Sequence, residues 1–586
     1  MSAPLVWVGG EALAHGTAPP FSDLAWPISP KVLAQAPGMA GNTLTLNGIS
    51  LTVPWMQREG RLGIADYGLT DSLGLRLLNS EAVERQPVQW FNDPGQSPLV
   101  LSAWVQGGHR YLDIQPLVDR YGWAIALRGQ SLQIATPTPQ IQSIRQVAQP
   151  WGERLIIQVS GPVVTQITES SGAYSLTLAA TISESVARAG GQPPTGSGFR
   201  PLQISAAGPN TRITGAIATP HARPQISTQT NPHQILVDLR PDHLLPLNIL
   251  WANGLRWRQQ FFNVAGQVFP VYWLQINPTQ AGLTLRPIWT APTTATGTMP
   301  LQTMAQRWQA AAAINAGFFN RNNQYPLGAV RYNNDWISGP ILSRGVVGWN
   351  NQGTFRLDRL FLKQTLTTAN GQSFPIQAIN SGYVQAGIGL YTPAWGPTYQ
   401  PILEAETVVT VVNNQVTSQQ LTTGATQLPI PIPPNGYLLA LRSYATAARA
   451  LVPGTPITVT SELLPANLEP MPQIVGGGPL LIKAQRIVLD PELEQFSRAF
   501  ATQAAPRSAL GLTATGELLL VAVHQSPTGT GPTLGELAQI MAQLGSTDAL
   551  NLDGGSSASL YLGGRLINRH PRTAARVANG IGVFFP

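Results

Sequence analysis

Glycine and proline punctuate this chain so densely, 57 and 51 times in 586 residues, that long helices have little room to form. Proline removes a backbone donor and clashes with the preceding helical turn, and glycine costs a helix interior about 1 kcal/mol relative to alanine. Between the breaks lie short segments alternating apolar and polar residues, the period of half-buried strands. The spacing therefore predicts a β-rich chain, and its length predicts several domains rather than one core. A hydrophobic content of 43% excludes disorder. No run reaches the ~20 apolar residues of a membrane helix, so no transmembrane segment is expected. With no cysteine, disulfides, thiolate nucleophiles and sulfur-ligated zinc are excluded.

The formal charge of +7 comes from 35 basic against 28 acidic residues. Only Lys31, Lys363 and Lys483 are lysine; the rest are arginine, the planar, bidentate partner of phosphate and carboxylate. The arginines are scattered, with no basic run of nucleic-acid type, so an anionic small partner is expected and no nucleic acid. Residues 1–16 lack a basic region followed by an apolar core, so no signal peptide is visible.

Along the chain, 1–40 reads as an N-terminal extension and 41–136 as a small α+β module. In that module 44–53 and 99–105 are expected strands, 111–121 a short amphipathic helix ending at Gly122, and 123–135 two further strands. The proline-spaced 136–140 marks a boundary. A β-sandwich-like module follows at 141–240, with strands at 155–159, 174–178, 200–206 and 235–239, and a loop at 189–197. The remainder, 250–586, reads as a mixed α+β domain with helices at 301–313 and 534–544. The second has Thr533 as N-cap, Glu536 at the third helical position and Gly545 just past its end.

Two tetrads of Asn-small-Gly-aromatic follow apolar strands in that domain, Asn315-Ala316-Gly317-Phe318 and Asn380-Ser381-Gly382-Tyr383. Their backbone can line a concave surface, or simply turn a strand end. Residues 549–560 form an apolar strand ending on Asp553 and opening into Gly554, Gly555 and Ser556. A carboxylate there, with exposed amides beside it, suits sugar or phosphate oxygens; the same residues also make an ordinary turn. His524 ends the expected strand 518–523, and neither it nor His570 has metal-ligand spacing, so no metal site is expected. Glu404 and Glu406 flank a strand and offer a second carboxylate or a solvated edge.

Five ordered motifs give this domain a resemblance to the phosphodiester glycosidases: Ile314 to Phe319, Gly476 to Leu481, Pro506 to Gly511, Asn551 to Ser556 and Arg576 to Phe584. The resemblance covers about 254–586. It departs from the commoner pattern at Ala316 and Ser556, where glycine is frequent, without removing a functional group. It implies hydrolysis of a sugar-1-phosphodiester in a phosphorylated glycan or cell-envelope polymer. A departing phosphate is already a stable anion, so one carboxylate and cations can replace the usual carboxylate pair. The matched motifs offer Asp553 as nucleophile or general base, with Arg507 and Arg576 on the phosphate; either arginine could instead be a structural ion pair. Asn315, Gly317, Asn380, Gly477, Gly478, Asn551, Gly554, Gly555, Ser556, Asn579 and His524 are the expected substrate-binding set, although buried asparagines often only satisfy loop backbone. No cofactor is called for, while Asp553 with backbone carbonyls could equally hold a divalent cation such as calcium. Asn47-Gly48, Trp90, Tyr111-Leu112 and Gly122-Trp123 resemble a copper amine oxidase N-terminal-like (stalk) module, and 141–239 resembles the AMIN β-sandwich that localises cell-wall enzymes. A bacterial envelope, periplasmic or secreted location is therefore expected. The alternative from another class is a non-catalytic cell-wall or exopolysaccharide-binding protein with a degenerate enzyme domain.

Overall fold

The computed structural model describes residues 39–586 apart from 93–94, 171, 196–197, 219–221 and 424–427. Most of the expected N-terminal extension, 1–38, lies outside the described residues. The chain is β-rich and multidomain, as the punctuation predicts.

The first unit is a nine-stranded sheet with two short helices, Asp66–Leu73 and Gln115–Tyr121. The single strand expected at 44–53 is instead a hairpin, Ala40–Leu46 against Ile49–Arg58. Asn47 and Gly48 both take positive φ (47° and 83°), the turn that matches the twist of paired strands. The helix expected at 111–121 is likewise shorter: His109–Asp113 is a strand, and the helix begins only at Gln115. Tyr111, Leu112 and Asp113 pair with Ala65, Ile64 and Gly63 across the sheet, which overrides their local helical pattern.

Next come a five-stranded and a four-stranded sheet. Leu155, Ile157 and Val159 from one and Tyr174, Leu176 and Leu178 from the other are buried in a common core, the alternation a sandwich needs. The loop expected at 189–197 starts later, since Glu184–Gly191 is a helix capped by the Ser183 hydroxyl. Residues 196–197 lie outside the described residues.

The last and largest unit stacks several sheets. An antiparallel eight-stranded sheet includes Gln267–Ile276, Leu518–Val523, Arg507–Thr513, Ser546–Asn551 and Leu480–Lys483. The helix Leu534–Gln543 buries Leu534, Leu537, Ile540 and Met541 on it, and its capping box forms between Thr533 and Glu536. A five-stranded sheet places Asn579–Phe584 between Thr284–Trp289 and Ala312–Asn315. The helix expected at 301–313 ends at Trp308, because Gln309 turns left-handed (φ 58°) and the following alanines enter this sheet as a buried strand. A seven-stranded sheet formed within 361–464 projects from this unit as an excursion that the sequence reading did not separate.

The units are joined by more than linkers. The backbone of Ser80 bonds Asn248 and Leu250, the Trp251 indole donates to Asp66 (2.8 Å), and Arg565 pairs with Asp71. The Trp251–Asp66 bond is buried, and with the backbone pairing at Ser80 it ties the units together.

Candidate active site

Five segments far apart in sequence meet where strand ends of two sheets converge. The strand Ser546–Asn551 runs out into Asp553, whose amide donates to the Ala316 carbonyl (2.8 Å). The Asn315 side chain holds the turn from below. Its Nδ2 donates to the Asp553 carbonyl (2.7 Å), while its Oδ1 accepts from the Ser508 hydroxyl (2.7 Å) and the Ser559 amide (2.9 Å). Asn579 does the same for the neighbouring tetrad: its Oδ1 accepts from the Gly317 amide (2.7 Å) and its carbonyl accepts from Ala316 (3.1 Å). A methyl group at Gly317 would sit 3.0 Å from the Asn579 amide, so any side chain there would crowd it.

Asp553 is partly open to solvent yet surrounded by protein. Loss of solvation pushes its carboxyl up to about 6; hydrogen bonding from Ser557, then the charge of Arg321, the Gly554 amide and Arg507 oppose the rise without cancelling it. A carboxyl raised toward neutrality at a strand end can exchange a proton near pH 6.

The arginines differ from expectation. Arg507 is 1% exposed, donating from Nη2 to the Gln503 carbonyl (2.5 Å) and from Nε to Pro532 (3.3 Å), with the Phe500 ring over its guanidinium. Burial pulls it down to about 10, with the Asp553 charge opposing. It is a buried cation behind the Asp553 turn, not a group open to a phosphate. Arg576 is exposed, but its guanidinium bonds the carbonyl and hydroxyl of Thr298, and it is not among the charges acting most strongly on Asp553. The exposed cation acting on Asp553 is Arg321, in the Asn-Arg-Asn-Asn turn, which the sequence reading missed because a polar turn carries no periodic signal.

Also missed is an aromatic wall. Phe318 of the first tetrad packs against Phe496 and Phe500, at 5.5 and 5.8 Å between ring centres, and the half-buried Arg344 lies over Phe496 at 4.0 Å. Glu494, fully buried, pins this wall to the strands: it accepts from the Gly345 and Leu480 amides and from Arg359.

Several expected binding residues are supports. Asn551 is buried and donates to the Gly478 carbonyl (2.7 Å); Gly477 approaches so closely that a Cβ would lie 2.5 Å from the Asn551 carbonyl. Asn380 is buried in the excursion, with its amide spent on Trp336 and Thr392; only Tyr383 of that tetrad acts electrostatically on Arg344. Gly554, Gly555 and Ser556 do reach the surface beside Asp553. His524 lines a different cleft, discussed below. Glu406 is neither a solvated edge nor near Asp553's strongest partners. It is 1% exposed, paired with Arg442 (2.7 Å) and bonded by the Tyr399 hydroxyl (2.6 Å) inside the excursion. Among the described residues no group of three or more His, Asp or Glu is placed to hold a metal.

Residues 406–584 match the family model described as phosphodiester glycosidase. That part of the chain is a phosphodiester glycosidase family domain. The matched span contains Gly477, Arg507, Asp553 and Asn579, and the fold adds Asn315, Gly317 and Arg321 from upstream. The chain is also similar to a hypothetical protein from Synechocystis of known crystal structure, at 41% identity over 94% of this chain and 99% of that one, with a TM-score of 0.86. The two share their architecture over nearly their whole length. A lower similarity, 12% identity and TM-score 0.31 over 57% of this chain and 85% of that one, is found to the catalytic domain of zebrafish N-acetylglucosamine-1-phosphodiester alpha-N-acetylglucosaminidase. No curated protein matches the sequence.

Proposed function

We propose that this protein is a glycoside hydrolase that cleaves a sugar-1-phosphodiester in a phosphorylated glycan. The observation that carries the reading is Asp553: a carboxyl held near neutral titration at the mouth of a turn, facing an exposed arginine, with its backbone fixed by Asn315. An oxocarbenium-like transition state needs negative charge near the anomeric carbon, and the ionised Asp553 supplies it as nucleophile or general base. The phosphate leaves as an anion and takes its stabilisation from Arg321, with Arg344 on the aromatic wall as second cation; the sugar stacks on Phe318 and Phe496. Arg507 works from behind, keeping Asp553 ionised enough to act. The competing picture of a binding protein with a degenerate enzyme domain expects Asp553 and Arg507 to lie apart. They are neighbours instead: the Gly555 amide bonds the Pro506 carbonyl (2.7 Å) and Arg507 acts on Asp553's charge.

The test is release of free sugar from a panel of sugar-1-phosphodiesters by the full chain. A folded, monodisperse sample that hydrolyses none of them would overturn the assignment. The β-sandwich module is proposed to hold the enzyme at a bacterial cell envelope; fractionation of native cells with all of the protein in the cytoplasm would refute this.

A further inference from the structure

A cleft of about 370 Å³ opens between the β-sandwich and the C-terminal domain, apart from the Asp553 turn. It is lined by three histidines, His243, His524 and His570, and by Arg223 and Arg569. Among the described residues Glu169 is the one carboxylate on its wall, and both its oxygens are committed to Arg223, at 3.1 and 3.2 Å. Arg569 has no carboxylate partner among the described residues. Its Nη1 clasps the carbonyls of Gly555, Ser556 and Ala558 (3.1, 2.7 and 3.0 Å), and its Nη2 makes no hydrogen bond among the described residues.

One histidine carries a nitrogen that the described residues leave unpartnered. His524 Nε2 is buried and has no hydrogen-bond partner among the described residues. His570 Nδ1 accepts from the Arg572 amide (3.2 Å), which leaves the proton of the neutral ring on Nε2, a free donor. His243 is held through Nδ1 near the Pro241 carbonyl (3.3 Å). Burial and the surrounding cations, Arg569 and Arg223 with His243, push His524 down to about 3; burial and Arg223 push His243 down to about 4, against weaker opposition from Glu169 and Asp242. His570 is lowered by burial and by Arg223 and Arg572, while Glu169 and Asp71 favour its charged form. An unneutralised arginine beside basic rings that burial and neighbouring cations hold neutral is a poor arrangement for an empty interface and a good one for a multivalent anion.

We propose that this interdomain cleft is a second binding site, for a phosphate dianion, free or carried by a sugar phosphomonoester. The cleft is large enough for either. A dianion is favoured over a carboxylate because it would satisfy Arg569 and let at least one histidine protonate together. The proposal does not depend on the hydrolase reading. Its location links two units of the fold, and through Arg569 it reaches the backbone immediately after Asp553.

The test is calorimetric titration of the full chain with sulfate, inorganic phosphate and glucose 6-phosphate, in buffers of different ionisation heat. Sulfate keeps its double charge across the range, so its affinity isolates the protein's protons. Expected is one saturable site with proton uptake, tightening roughly tenfold from about pH 7.5 to about pH 5.5, because histidines that stay neutral in the empty cleft over this range take up a proton only with the dianion bound. Glucose 6-phosphate binding above inorganic phosphate identifies the sugar ester as the ligand; equal affinities identify phosphate itself. His524→Gln should weaken binding about tenfold, while Glu169→Gln, which releases Arg223, should strengthen it, a gain that misfolding cannot imitate. Arg507→Lys, behind the Asp553 turn, should leave it unchanged. No saturable binding at ~10 mM anion, binding unmoved by both His524→Gln and Glu169→Gln, or binding abolished by Arg507→Lys would overturn the proposal.

Discussion

Replacing Asp553 by asparagine should make the protein more stable and less active at once. Folding raises this carboxyl from 3.8 to about 6. The shift of roughly 2 units, at about 1.4 kcal/mol each, means the folded state bears up to ~3 kcal/mol for holding the charge. The sign follows from linkage. Below pH 3.8 the group is protonated folded or unfolded and costs nothing; the penalty grows as pH rises toward about 6 and is complete above it. Asparagine keeps an acceptor for the Ser557 hydroxyl but carries no charge, so Asp553→Asn should gain about 1 to 3 kcal/mol at pH 7.5, with the gain vanishing near pH 4. Urea unfolding of variant and wild type at both pH values measures the difference, and subtraction removes the contribution of other titrating groups. Turnover on a cleaved phosphodiester should fall by about 10²-fold or more. A variant that is destabilised at pH 7.5, or whose difference from wild type does not change with pH, would show that the carboxyl is not strained by its surroundings, and the argument for its catalytic charge would fail with it.

Arg321→Gln should raise KM and move the acid limb of the kcat/KM profile upward, because Arg321 lowers the Asp553 pKa; a profile that stays in place removes Arg321 from the site. Asn315→Ala leaves the Ser508 hydroxyl, Ser559 amide and Asp553 carbonyl without their partner. It should cost roughly 1 to 3 kcal/mol per unpaired buried group and most of the activity, read by melting and turnover together. Glu406→Ala strands a buried Arg442 and should destabilise the excursion by roughly 3 to 5 kcal/mol while leaving the pH dependence of any residual turnover unchanged; a moved pH optimum would return Glu406 to the mechanism.

The motifs and their order were legible in sequence, and they located Asp553, because a strand that ends on a carboxylate and opens into glycines has a local signature. The division of labour around it was not. Asn315 and Asn551 look alike as strand-end asparagines, yet only the fold shows that one holds the Asp553 turn and the other the Gly478 carbonyl. Arg507 sits in a motif and proves buried, whereas Arg321 sits in a featureless polar turn and faces the site; exposure is a tertiary property with no local code. The hairpin at Asn47-Gly48 had its turn signal in plain view, but the apolar alternation continued through it and masked the break. The excursion at 361–464 was hidden for a related reason: its strands have the same period as those around it, and only pairing distinguishes them.

The strand Asn579–Phe584 is an interior strand of its sheet, not an edge, and it is inserted between two strands made far earlier. The bond from Gly317 to Asn579 spans 262 residues. At a synthesis rate of roughly 5 to 20 residues per second, the ribosome needs on the order of 15 to 50 seconds to bridge that interval. Throughout it, Thr284–Trp289 lacks its sheet partner and Ala312–Asn315 lacks both of its own, because its other neighbour, Leu560–Leu562, is also made late. The sheet that carries Asn315 therefore closes only after Asn579–Phe584 has been synthesised, so the Asp553 turn and the asparagine that holds it are assembled together and late.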